Sequence, residues 1–91
     1  MKAIYKYPLQ WGTTRVKLHE SFSILKLATQ RGQATLWCEV DTGVFNTEID
    51  IKMFATGEQL PEDIDEWDHI DSLLMSGDSL VWHFYWRYAI D

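Results

Sequence analysis

Few side chains in this sequence have types and spacings suited to chemistry. They are three histidines, His19, His69 and His83, one thiol, Cys38, and a run of carboxylates from Glu58 to Asp71. Asp63, Asp65, Asp68, His69 and Asp71 come nearest to a metal-binding run. A cation needs several such ligands converged on one point. The run lacks the glycine and closing glutamate of a calcium loop, and H-E-x-x-H is absent. A solvated carboxylate surface is therefore expected, with no metal. In a strand, His83 shares a face with Val81 and Tyr85, opposite Trp82, Phe84 and Trp86, and reads as a hydrogen-bonded structural histidine rather than a general base. Cys38 shares a face with Leu36 and Val40 and reads as a small core residue. A thiolate nucleophile needs a cation beside it, and none is local. Paired carboxylates can hydrolyse glycosides, but only within a cleft. Neither G-x-G-x-x-G, G-x-x-x-x-G-K-[ST] nor G-x-S-x-G occurs. No catalytic residue, no cofactor and no enzyme activity are expected.

Binding chemistry is better represented. The stretch Leu80–Tyr88 holds five of the thirteen aromatic residues. It follows the most acidic part of the chain. Residues 53–91 carry one base, Arg87, against nine acids, whereas residues 1–52 carry seven bases and five acids. An aromatic platform that stacks nucleic-acid bases is paired with a basic groove, and net acidity repels phosphate backbones. Direct nucleic-acid binding is therefore disfavoured. An acidic patch suits a basic protein surface instead, and Trp, Tyr and Arg are the types enriched at interface hot spots. The candidate contact residues are Asp63, Asp65, Glu66, Asp68 and Asp71, with Trp67, Trp86 and Tyr88 as apolar anchors and Arg87 beside them. The plainer reading is that the acids keep an aromatic-rich protein in solution. A homodimer seam, or a last strand wrapped over the core, would equally explain the aromatic run.

The elements that must position these residues are short and β-rich. Ala3–Tyr7 is a strand stopped by Pro8, and Trp11-Gly12-Thr13-Thr14 reads as a turn. Arg15–Leu18 alternates with Val16 and Leu18 inward. Ser23–Thr29 places Leu25 and Leu27 on one face and Lys26 on the other. Gln30-Arg31-Gly32-Gln33 is a hairpin loop, because Gly32 takes positive φ without steric cost. Ala34–Asp41 returns with Leu36, Cys38 and Val40 inward, followed by a loop at Asp41-Thr42-Gly43. Thr47–Thr56 alternates most clearly, with Ile49, Ile51, Met53 and Ala55 inward and Phe54 outward. Residues 60–76 carry two signals. Leu60, Ile64, Trp67, Ile70 and Leu74 recur at helical spacing, yet a turn to about residue 66 and a strand Trp67–Met75 would give the aromatic run a partner across Ser76-Gly77-Asp78. The strand is the favoured reading. Six or seven strands, with one short helix at most, predict a small antiparallel barrel or sandwich in a single domain of residues 1–91.

A chain of this mass hides roughly 60–65% of its unfolded surface, enough for one modest core. A single cysteine rules out an internal disulfide framework. No signal peptide and no apolar run of about 18 residues is evident, so no membrane is expected and a reducing cytoplasm is the default.

Four blocks resemble a family of small, mostly uncharacterised phage and prophage proteins. They are Lys2-Ala3-Ile4-Tyr5-Lys6-Tyr7-Pro8-Leu9, Leu36-Trp37-Cys38-Glu39-Val40-Asp41-Thr42, Ala55-Thr56-Gly57-Glu58-Gln59-Leu60-Pro61 and Leu80-Val81-Trp82-His83-Phe84. Two departures stand out: Ile64–Asp71 is more acidic than the pattern, and the chain runs on from Tyr85 to Asp91 where many relatives stop. The resemblance implies a phage gene product in the bacterial host cytoplasm, and it carries over no catalytic residue. Compact acidic phage proteins often block a host machine, and nuclease-based defence complexes have basic channels. The expected function is thus inhibition of a host or defence protein, for instance as an anti-CRISPR protein. The alternatives are sequestration of a signalling nucleotide, with Lys2, Lys6, Arg15, Lys17 or Arg87 holding phosphate, and a virion or assembly component.

Overall fold

The computed structural model describes residues 1–19, 21–43, 45–75 and 79–90. Among them are seven strands: β1 (Lys2–Pro8), β2 (Thr13–His19), β3 (Phe22–Gln30), β4 (Gln33–Asp41), β5 (Phe45–Ala55), β6 (Asp68–Met75) and β7 (Leu80–Tyr88). One 3-10 turn, Glu62–Glu66, lies between β5 and β6. The fold is all-β, as the alternation predicts. All pairings are antiparallel, in a three-stranded sheet of order β1-β4-β3 and a four-stranded sheet of order β2-β5-β7-β6. The two sheets form an open sandwich rather than a closed barrel. Its shortest dimension, 16 Å, is what two sheets stacked about 10 Å apart occupy. No helix among the described residues is long and apolar enough to cross a membrane.

The core lies where the inner faces meet. Leu36 and Cys38 of β4 are fully buried and Val40 is 1% exposed; Leu18, Ile49 and Phe84 oppose them at 0–1%. Complete burial of one such side chain is worth about 1.5–3 kcal/mol, and the alternation of β2, β4 and β5 supplies several. Burial also pushes the Cys38 thiol up to about 11, which leaves it an inert core residue.

Turn chemistry sets the register. The β3–β4 hairpin closes on two residues, Arg31 (φ 53°) and Gly32 (φ 78°), both in the left-handed region. Two positive φ values in a two-residue loop match the twist of the flanking strands. The β1–β2 connection is residues 9–12, which include Trp11 and Gly12, while Thr13 and Thr14, expected in that turn, already pair with Lys52 and Ile51.

One strand departs from its expected alternation. A bulge between Ile24 and Lys26 inserts Leu25 as an extra residue in β3. Leu25 is 51% exposed while Leu27 is 6% exposed, so the two do not share the core face. An extra residue reverses the inside–outside phase of a strand, and period-two reading passes over it.

The ambiguous stretch resolves as the favoured reading has it. Pro61 opens a single 3-10 turn that ends at Glu66, and β6 then pairs with β7. The proposed hairpin residues Ser76-Gly77-Asp78 lie outside the described residues.

Candidate functional site

The acidic residues gather at one end of the four-stranded sheet. The 3-10 turn projects Glu62, Asp65 and Glu66, and Asp68 follows as the first residue of β6 beside Trp86. All four are exposed, and none has an ion-pair partner among the described residues. Asp63 and Asp71 differ. Asp63 accepts a hydrogen bond from Arg87 Nη1 at 3.0 Å, and Asp71 Oδ1 accepts the Ser72 backbone N–H at 2.7 Å.

The aromatic residues of this end divide between interior and surface. Trp67 is 9% exposed and lies under the Arg87 guanidinium, 4.3 Å from the ring centroid. Trp86 is half-buried and meets Phe22 edge-on at 5.6 Å, across the gap between sheets. Tyr88, packed against Trp86 at 5.2 Å, is 58% exposed. Of the three expected anchors, Trp67 and Trp86 are thus taken up inside and Tyr88 stands on the surface. The exposed set is Asp65, Glu66, Asp68 and Tyr88.

The bases are spent or dispersed. Arg15 grips Asp50 with two hydrogen bonds of 2.9 and 3.0 Å, and Asp50 pairs in register with Arg87 on the other side. The Arg15 hydrogen bonds hold the Asp50 carboxyl below the usual carboxylate range, helped by the charges of Arg15 and Arg87 and opposed by burial. Lys2 lies 3.6 Å from Glu39, and Lys6 donates to Gln30 at 2.8 Å on the other sheet. Lys2, Lys6, Arg15, Lys17 and Arg87 do not converge on a common point.

A second place, not singled out in the sequence, lies further along the outer face of the same sheet. It is a cleft of about 270 Å³ whose walls include Phe54, Thr56, Glu58, Leu60, His83 and Tyr85. A tight turn builds its rim. Glu58 N–H donates to the Ala55 carbonyl at 3.0 Å, with Gly57 at φ 92° in the third position, where a type II turn requires positive φ. Glu58 Oε1 also accepts the Ala55 N–H at 3.1 Å, which fixes the carboxylate on the rim. Phe54 does face outward, as alternation predicts, yet it is 3% exposed, with Tyr85 edge-on at 5.8 Å.

Beneath the cleft a chain of hydrogen bonds runs from the turn through β7 to β6. Thr56 Oγ1 is 2.7 Å from His83 Nε2, His83 Nδ1 is 2.7 Å from Ser72 Oγ, and Ser72 Oγ is 3.3 Å from His69 Nε2. Thr56 Oγ1 also donates to the Val81 carbonyl at 3.3 Å. Both ring nitrogens of His83 are thus engaged by hydroxyls, each of which can donate or accept. The alternation of β7 already placed His83 and Tyr85 together; the missing signal was the β5–β7 register that brings Phe54 opposite His83. No group of three or more metal-ligating side chains converges among the described residues.

The chain belongs to the DUF7352 family, described as a domain of unknown function, whose model matches residues 1–90. No curated protein and no solved structure matches the chain.

Proposed function

We propose that this DUF7352 protein is a phage-encoded, non-enzymatic interaction protein. It binds and inhibits a bacterial host or defence protein in the host cytoplasm by covering a cationic surface. The observation that carries this reading is the unneutralised row Glu62, Asp65, Glu66 and Asp68 beside exposed Tyr88. Four like charges at one end are unfavourable for the isolated fold, and a basic partner relieves them. The one local base is committed to Asp63, which leaves the row free. A catalytic reading has less support. Ser72 and His83 have the separation of a nucleophile and its base, yet Ser72 is not among the residues that line the cleft. Phosphate sequestration also has less support, because the candidate bases are dispersed.

Affinity capture with the native chain and with an Asp65→Lys/Glu66→Lys/Asp68→Lys variant tests the proposal. One host protein is expected with the native chain, released by salt, and none with the variant. Equal recovery by both rejects this surface.

A further inference from the structure

We infer that the cleft between the Ala55–Glu58 turn and β7 is a pocket for an arginine side chain of the partner protein. The inference rests on the reading above and extends it from a charged row to a specific pocket.

The walls have the right chemistry. A guanidinium is flat, weakly hydrated and always charged; it lies well against aromatic rings and pairs with a carboxylate. The cleft offers Tyr85 as ring surface and Glu58 as carboxylate, with Phe54, 3% exposed, packed against Tyr85 and Leu60, 40% exposed, in the wall. Glu58 is the one carboxylate among the lining. One Glu58 oxygen is held by the Ala55 N–H, so the carboxylate is fixed before any ligand arrives. Fixed geometry lowers the ordering cost of binding.

The protein already holds one guanidinium this way. Arg87 lies 4.3 Å over Trp67 with Asp63 at 3.0 Å. The cleft again sets aromatic side chains and a carboxylate in one wall. It also adjoins the acidic row. Arg87, Tyr85 and His83 are successive outward residues of β7, about 7 Å apart along a strand, so one basic partner segment spans both places. Lys52 lies outside the lining, 5.6 Å from the Phe54 centroid. Its charge opposes an incoming cation, which gives the test a second sign.

The experiment is an amide-resolved NMR titration with N-acetyl-arginine methylamide, using the neutral citrulline analogue as control. Saturable shifts are expected at Thr56, Gly57 and His83, at least about fivefold weaker with citrulline, the ratio that ~1 kcal/mol of cation–ring and carboxylate attraction gives. Glu58→Gln keeps an oxygen to accept the Ala55 N–H and should weaken binding by a similar factor. Lys52→Gln should tighten it. Equal shifts with citrulline, indifference to Glu58→Gln, or tighter binding after Glu58→Gln overturns the inference. The Asp65→Lys/Glu66→Lys/Asp68→Lys variant separates the two readings. Retained shifts at the cleft support the pocket whatever the capture experiment gives, and shifts confined to the acidic row refute it while leaving the row intact.

Discussion

At the scale of single residues, the decisive interactions are those that occupy a charge. Asp50 sits between Arg15 and Arg87 on the outer face of the four-stranded sheet, its side chain 13% exposed. Its carboxyl titrates below the ordinary range because Arg15 hydrogen-bonds the charged form. A depressed carboxylate stabilises the fold above its unfolded pKa of about 3.9, and the contribution fades as pH falls below that towards the folded value. Asp50→Asn should therefore lower stability by about 1 kcal/mol at pH 7. Urea unfolding at pH 7 and pH 3 checks the sign: the gap between native chain and variant should narrow in acid. A constant gap would mean that the amide disturbs packing instead. Asp50 and Arg15 stand far apart in sequence and look like ordinary surface charges there. Pairing of β2 with β5 alone makes them partners, just as pairing of β5 with β7 brings Phe54 and His83 together in the cleft. The exposed acids were legible from composition; which of them lacked a partner was not.

At the scale of elements, period-two alternation located the core strands because one face of each is buried and a slip would expose it. It failed where the chain departs from strict pairing. The Leu25 bulge carries no signal in residue type, and Leu25 is as apolar as Leu27. Residues 60–76 show helical spacing, yet Pro61 and a single 3-10 turn precede a strand, because β7 needs an edge partner along its length. Trp67 belongs to that outcome: the turn tucks it beneath Arg87, a contact that spacing cannot reveal. The β3–β4 hairpin gives an element-scale prediction. Arg31 holds φ 53°, which is unfavourable for a residue with a Cβ and long side chain. Asn tolerates that region better, so Arg31→Asn should raise stability by roughly 0.5 kcal/mol. Thermal unfolding measures it, and a fall would show that Arg31 contributes a surface contact worth more than its strain.

At the scale of the whole molecule, net charge −6 is divided unevenly, and the fold does not mix it. In the first half, Arg15 pairs with Asp50, Lys2 with Glu39, and the N-terminal amine with Asp41 at 3.0 Å. The acids at the start of β6 receive no such help. If they exist only for solubility, they could be dispersed over the surface with no electrostatic cost. Gathered on one turn, they repel each other and weaken the isolated fold. Replacing them with neutral isosteres, Asp65→Asn/Glu66→Gln/Asp68→Asn, should then raise stability by about 0.5 kcal/mol at 10 mM salt, where screening extends over roughly 30 Å. At 1 M salt, with a screening length near 3 Å, the gain should vanish. Urea unfolding at both salt levels measures the two numbers. A variant that is more stable alone and yet loses its partner would mark these carboxylates as kept for contact at the fold's expense. A variant that is less stable at low salt would instead make them structural, and the free acidic row would no longer explain binding.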